Sequence, residues 1–104
     1  MVITPLVQER LGQLRELCAR HRVRRLELFG SATSSRFDPA RSDLDFLVEF
    51  EELGDEGYFD AYFGLLEGLQ GLFDRRVDLV MRGAVRNPYF LESIEPSRTL
   101  LYAA

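Results

Sequence analysis

Three aspartates of this chain stand in apolar surroundings, where a carboxylate is costly. Asp43 and Asp45 lie one residue apart at the start of the run Leu44–Phe50, and Asp78 stands alone in Val77-Asp78-Leu79-Val80. Aspartate is depleted in strands, and its charge is expensive beside an apolar core unless something compensates it. Carboxylate oxygens are the ligands that Mg²⁺ prefers. The three aspartates therefore indicate a divalent metal site.

The spacing of the first two aspartates decides where they point. Residues i and i+2 of a strand share a face, so Asp43 and Asp45 share one, about 6.6 Å apart along the strand. The opposite face alternates Leu44, Phe46 and Val48 and should meet the core. If the strand that holds Asp78 lies alongside, a third ligand joins the pair. Metal pairs about 3.5–4 Å apart organise in-line phosphoryl chemistry in this way.

A Gly-Ser pair supplies the features of a phosphate site. Gly30 and Ser31 follow the apolar run Leu26–Phe29. Glycine permits a tight turn and the close approach of a ligand. Serine then offers a hydroxyl and a backbone N–H to a phosphate. The pair is not a Walker loop, because no Gly-Lys-Ser/Thr follows.

The pattern of the chain predicts one small α/β domain over residues 1–104. Apolar runs and periodicity predict strands and helices. The predicted strands are Leu26–Phe29, Leu44–Phe50 and Val77–Met81, with a final extended piece at Thr99–Tyr102. The predicted helices are one that Thr4 caps, with Val7, Leu11, Leu14 and Cys18 on one face, then Tyr58–Asp74, and a short one that opens at Asn87-Pro88. A turn is expected at Asp38-Pro39.

Composition excludes several classes of protein. The net charge of −4 argues against a long nucleic-acid partner. No apolar stretch approaches the roughly 20 residues that span a bilayer, and no signal peptide is evident, so we expect a cytoplasmic protein. Cys18 is the only cysteine, which excludes an internal disulfide, and all 13 basic residues are arginine, which excludes lysine chemistry.

A stripe of small residues runs along the predicted helix Tyr58–Asp74. Gly57, Ala61, Gly64, Gly68 and Gly71 recur at spacings of 4, 3, 4 and 3. Such a stripe lets another helix approach closely. Two interpretations stay open, packing inside the domain and contact with a partner protein.

At the aspartates and the Gly-Ser pair, the chain resembles the minimal nucleotidyltransferases of the polymerase-beta-like superfamily, and among them the MntA-type antitoxins. That family carries Gly-Ser after its first strand, Asp-x-Asp at its second and a lone Asp on a later one. Here these read Gly30-Ser31, Asp43-Leu44-Asp45 and Asp78, and the similarity extends from about Leu26 to Tyr102. The resemblance implies the polymerase-beta-like fold, with a small mixed sheet flanked by helices.

The resemblance also implies an activity. Asp43, Asp45 and Asp78 would hold two Mg²⁺ ions, while Gly30 and Ser31 would position the terminal phosphates of ATP. Asp78 would also help to deprotonate an acceptor hydroxyl, whose oxygen attacks the α-phosphorus as pyrophosphate leaves. For Asp78 the competing interpretation is an ion pair with the arginine at position 75 or 76.

The acceptor follows from the resemblance only as a hypothesis. Family members of this size are often encoded beside a HEPN-domain toxin, and some transfer AMP to a tyrosine of that toxin. The leading hypothesis is therefore a protein adenylyltransferase that acts as an antitoxin. Two alternatives stay open, a non-catalytic antitoxin that neutralises a HEPN partner by contact, and nucleotidyl transfer to a small molecule. A homo-oligomer is possible.

Overall fold

A computed structural model describes residues 4–33, 38 and 42–104 of the chain. Its strands are β1 (Val23–Phe29), β2 (Leu44–Phe50), β3 (Val77–Met81) and β4 (Thr99–Ala103). Its helices are α1 (Pro5–Gln8), α2 (Leu11–Arg20), α3 (Asp55–Phe73) and α4 (Pro88–Ile94). Short 3₁₀ turns occupy Gly30–Thr33, Arg82–Ala84 and Glu95–Ser97.

The four strands form one mixed sheet in the order β3-β2-β1-β4. The central strand β1 is antiparallel to both β2 and β4, whereas β2 and β3 are parallel. A parallel pair needs a long crossover, and the 19-residue helix α3 supplies it. The prediction of a small α/β domain with a mixed sheet is confirmed.

The core lies on one face of the sheet, beneath α2 and α3. The alternation in β2 turns Leu44, Phe46 and Val48 toward it, and Leu65 and Leu69 of α3 pack against them. The opposite face of the sheet carries a smaller cluster, in which Phe29, Leu47 and Ile94 pack with residues of α4. Because α4 is short, part of this second face stays open to solvent beside the aspartates.

Two boundaries at the N-terminal side differ from the prediction. The predicted first helix is two helices, because α1 ends at Gln8 and α2 begins at Leu11. Thr4 is the N-cap residue of α1 and Pro5 lies in its first turn, as predicted, but the Thr4 side chain makes no cap hydrogen bond, and its backbone N–H donates to the carbonyl of Ala32 at 3.2 Å. This tertiary contact anchors the start of α1 to the turn that follows β1.

Strand β1 begins three residues earlier than the prediction, so Arg24 and Arg25 lie within the strand. Arg24 pairs with Glu49 at 3.6 Å and Arg25 with Glu27 at 3.0 Å. The bounds of β2 and β3 agree with the prediction. The helix start at Asn87 is confirmed as well, since its Oδ1 accepts the backbone N–H of Tyr89 at 2.9 Å. The expected turn at Asp38-Pro39 includes Pro39, which lies outside the described residues.

The small-residue stripe of α3 packs against α2. A Cβ at Gly64 would lie 2.6 Å from Cε1 of His21, and one at Gly68 would lie 2.8 Å from Cδ2 of Leu17. Gly68 is thus covered by α2, and Gly64 by His21, the C-cap residue of that helix. The interpretation as packing inside the domain is correct for these two positions, and the interpretation as a partner contact is wrong there. No helix in the described part of the chain is long and apolar enough to cross a membrane.

Candidate active site

Parallel pairing of β2 and β3 brings two of the three aspartates together. In the ladder Asp45 is the direct partner of Asp78. Their neighbours Leu44, Phe46 and Leu79 are buried toward the helices, so the alternation of the strands turns both carboxylates to the opposite face. Asp43 stands just before β2 and is exposed. All three line one open cleft of about 320 Å³.

The aspartates act on each other electrostatically. The pKa of Asp45 is raised from 3.8 to about 6, chiefly because the carboxyl is partly buried, and further because Asp78 and then Asp43 are negative. Like charges in a partly desolvated cleft disfavour one another's ionised form. Asp45 therefore keeps its proton to a higher pH than an ordinary aspartate, and a cation bound beside it would oppose that shift.

The donor set suits a hard divalent cation, although the cleft is not a finished cage. Among the described residues, no group of three or more His, Cys, Asp or Glu side chains is already arranged around one metal position. Mg²⁺ is usually held by one or two carboxylates, with phosphate oxygens and water completing its shell. The pair Asp45 and Asp78, with Asp43 at the rim, fits this incomplete kind of site.

The competing explanation for Asp78 fails. The ion pairs within the described part of the chain join arginines to glutamates only, so Asp78 is paired with neither Arg75 nor Arg76. Nη1 of Arg75 instead donates to the carbonyl of Ser42 at 3.1 Å. The backbone N–H of Leu44 donates to the carbonyl of Arg76 at 3.2 Å. These bonds hold the starts of β2 and β3 together and so fix the aspartates.

Gly30 lies beside this cluster because β1 pairs with β2. Phe29 is the ladder partner of Asp45, and Gly30 is the next residue. Its φ is +78°, in the region that favours glycine. A Cβ at this position would overlap Oδ2 of Asp45. A glycine is therefore required both by the backbone conformation and by the approach of the carboxylate.

Gly30 and Ser31, which the sequence predicts to hold phosphates, lie in a turn whose backbone groups at Gly30 already have hydrogen-bond partners. The N–H of Gly30 donates to Oγ of Ser97 at 3.1 Å, and its carbonyl accepts from Oγ1 of Thr33 at 2.8 Å. A phosphate could take the N–H of Gly30 only by displacing Ser97. Ser31 follows in the 3₁₀ turn and is half-buried.

Sequence reasoning missed two residues at this site. Arg76 lines the cleft with the aspartates. It lies two residues before Asp78, and that i, i+2 spacing was a usable signal for a shared strand face. Ser97 gave no such signal, since it lies 67 residues from Gly30 along the chain.

The chain matches the family model described as a nucleotidyltransferase domain over residues 12–101. It belongs to that family, and it is a nucleotidyltransferase. Two proteins of Methanocaldococcus jannaschii that bear the name putative protein adenylyltransferase are similar to it. The first is 38% identical over 76 residues, covering 73% of this chain and 74% of the relative. The second is 31% identical over 93 residues, covering 82% and 91%.

Solved structures agree on the fold. A putative minimal nucleotidyltransferase superposes with a TM-score of 0.69 at 33% identity, covering 88% of this chain and 89% of the other. A tri-AMPylated HEPN toxin of Shewanella oneidensis in complex with its MNT antitoxin gives 0.63 at 18%, covering 93% and 72%. A toxin–antitoxin complex with AMP-PNP gives 0.67 at 19%, covering 90% and 73%. At identities this low, the last two show the fold alone.

Proposed function

We propose that residues 1–104 act as one domain that transfers AMP from ATP to a hydroxyl group of a protein. The proposed acceptor is a tyrosine of a HEPN-domain toxin, so the protein acts as an antitoxin in the cytoplasm, where ATP is available. The observation that carries the proposal is the pairing of Asp45 with Asp78 beside the Gly30 turn. The two relatives named as protein adenylyltransferases support a protein acceptor.

Each residue of the cleft has a proposed role. Two Mg²⁺ ions would be held by Asp43, Asp45 and Asp78. When bound, these ions would neutralise the charge of the triphosphate and favour ionisation of the acceptor hydroxyl. Ser31 and the turn that begins at Gly30 position the terminal phosphates. Asp78, at the exposed edge strand, receives the proton of the acceptor hydroxyl. The oxygen then bonds to the α-phosphorus, and the bond to pyrophosphate breaks.

Arg76 adds a cation to the cleft that the carboxylates line. A guanidinium binds phosphate oxygens in a bidentate manner and stays charged at every accessible pH. Its position on the rim suits the negative triphosphate as it enters. We propose that Arg76 orients the nucleotide, and that catalysis is mostly positioning and charge neutralisation.

The test is transfer from labelled ATP to a HEPN toxin in the presence of Mg²⁺. The expected result is one adenylyl group on a toxin tyrosine, with no label on a toxin whose tyrosine is phenylalanine. Asp78→Asn should abolish labelling, since it removes the proton acceptor and a metal ligand. The matched control is Asp74→Asn, four residues earlier. Asp74 is exposed and has φ +49°, a conformation that asparagine tolerates.

Each other outcome is informative. Labelling by Asp78→Asn at the wild-type rate would contradict the assigned site. An unlabelled toxin that the Asp78→Asn variant still neutralises would instead support an antitoxin that works by contact alone. Labelling of a small molecule but of no protein would replace the proposed acceptor.

A further inference from the structure

The segment between α4 and β4 reaches back to the Gly-Ser turn. Oγ of Ser97 accepts the N–H of Gly30 at 3.1 Å and donates to the carbonyl of Ile94 at 2.9 Å. A hydroxyl has one proton to donate. Because that proton is committed to Ile94, the oxygen presents its lone pairs toward Gly30. The serine is therefore oriented as an acceptor for this one backbone group.

The segment that carries Ser97 is itself fixed to β1. Nε of Arg98 donates to Oε2 of Glu27 at 2.8 Å, and Nη2 of Arg98 donates to Oε1 of Glu27 at 2.8 Å. Glu27 is 5% exposed, and its pKa is lowered, first because Arg98 donates hydrogen bonds to it. Nη1 of Arg98 also binds Glu95 at 2.9 Å. A bidentate guanidinium–carboxylate pair of this kind is strong and geometrically specific.

Apolar packing holds the same segment from the other side. Ile94 is buried with Phe29 and Leu47, and the ring of Phe90 meets that of Phe29 edge to face at 5.8 Å. Phe29 directly precedes Gly30. The peptide that joins them is thus bounded by a packed side chain on one side and by the Ser97 hydrogen bond on the other.

We infer that Ser97 is a positioning residue for the nucleotide site. It fixes the Phe29–Gly30 peptide, and thereby the turn that carries Ser31 past the carboxylate of Asp45. Glycine populates positive and negative φ about equally well, so without this bond Gly30 has competing conformations. When only a fraction of the protein molecules has the conformation that binds a ligand, the apparent affinity falls by that fraction. The inference rests on the proposed function, since it concerns nucleotide bound at that turn.

The experiment compares Ser97→Ala with Ser93→Ala. Ser93 is a matched control because its Oγ makes the same bond, to the carbonyl three residues earlier, at 2.7 Å, on the exposed side of α4. Calorimetry with a non-hydrolysable ATP analogue and Mg²⁺ measures the nucleotide dissociation constant. Amide hydrogen exchange at Gly30, followed by NMR in nucleotide-free protein, measures the bond itself.

Ser97→Ala should weaken nucleotide binding roughly two- to tenfold, the loss expected for one hydrogen bond. It should raise KM more than it changes kcat, and the Gly30 amide should exchange faster. Ser93→Ala should match the wild type in all of these. Ser97→Thr and Ser97→Val are nearly isosteric, so affinity should return with threonine but not with valine. Because threonine and valine differ chiefly in the hydroxyl group, the comparison of these two variants still tests the hydrogen bond to Gly30 if Ser97→Ala folds poorly.

Two failures are distinguishable. If the wild-type protein binds no nucleotide with Mg²⁺, the proposed function fails and the inference fails with it. If the wild type binds nucleotide and Ser97→Ala binds it equally well, with KM unchanged, the inference alone is overturned. Equal weakening by Ser93→Ala would also overturn it, because the effect would then belong to the local helix turn.

Discussion

Replacement of Gly30 by alanine tests two features of the site at once. The residue has φ +78°, and an alanine there should cost about 1–2 kcal/mol of folding free energy. The added methyl group would also overlap Oδ2 of Asp45, and overpacking of this kind costs about 1–3 kcal/mol. We expect Gly30→Ala to lose about 2–5 kcal/mol in total.

A double-mutant cycle separates the two contributions. In the Asp45→Ala background the carboxylate is gone, so Gly30→Ala should cost only the conformational part of about 1–2 kcal/mol. The difference between the two backgrounds is the coupling energy, expected at about 1–3 kcal/mol. Chemical denaturation at neutral pH without metal measures all four proteins. Gly83→Ala is the control, because a Cβ there would meet no atom within 4 Å and its φ is not positive.

The same variant should damage nucleotide binding more than its stability suggests. The methyl group must turn the carboxylate of Asp45 away from its position opposite Asp78. Calorimetry under conditions where the variant is fully folded should therefore show weak or no ATP binding. Equal costs in both backgrounds would refute the close approach of Asp45 to Gly30. A variant as stable as Gly83→Ala would refute the conformational argument as well.

Three further outcomes follow from the charges and the packing. The pKa of Asp45 is raised to about 6, so its contribution to the free energy of unfolding is fully present below pH 3.8 and is lost as pH rises through about 6. Without metal, Asp78→Asn should lessen that loss and raise the free energy of unfolding by up to about 1 kcal/mol near pH 7.5. Urea titrations at two pH values measure the difference. The pKa of Glu27 is lowered from 4.5, so its contribution to the free energy of unfolding is present above that pH and is lost on acidification. Glu27→Gln should cost about 3 kcal/mol at pH 7 and should weaken the fall of stability at acid pH. An unchanged fall of stability at acid pH would count against the pairing of Glu27 with Arg98. In α3, Gly71→Ala should raise the melting temperature, because alanine is favoured over glycine in a helix by about 0.5–1 kcal/mol. Gly64→Ala should lower the melting temperature, because the added Cβ would lie 2.6 Å from an imidazole carbon of His21. The opposite order of melting temperatures would refute the packing of Gly64 against His21.

The sequence by itself determined the local elements and the facing of the aspartates. In β2, Leu44–Phe50, the alternating apolar residues Leu44, Phe46, Val48 and Phe50 identify the strand and its buried face, because successive side chains of a strand point to opposite sides. That period alone puts Asp43 and Asp45 together and away from the core. The start of α4 at Asn87 was equally readable, because a cap is made by residues two positions apart.

Only the tertiary structure decided which distant residues meet. Three arrangements join residues far apart in the chain: the register that sets Asp45 against Asp78, the contact of Gly30 with Ser97, and the contact of Gly64 with His21 at the end of α2. Such pairings have no period to read, since they depend on how whole elements pack. The small-residue stripe shows the difference: its spacing predicted close approach by a helix, and only the fold could say that the helix is the protein's own. The physical reason is that local propensity acts over one turn or one strand, whereas the site is assembled by the packing of the sheet and its helices.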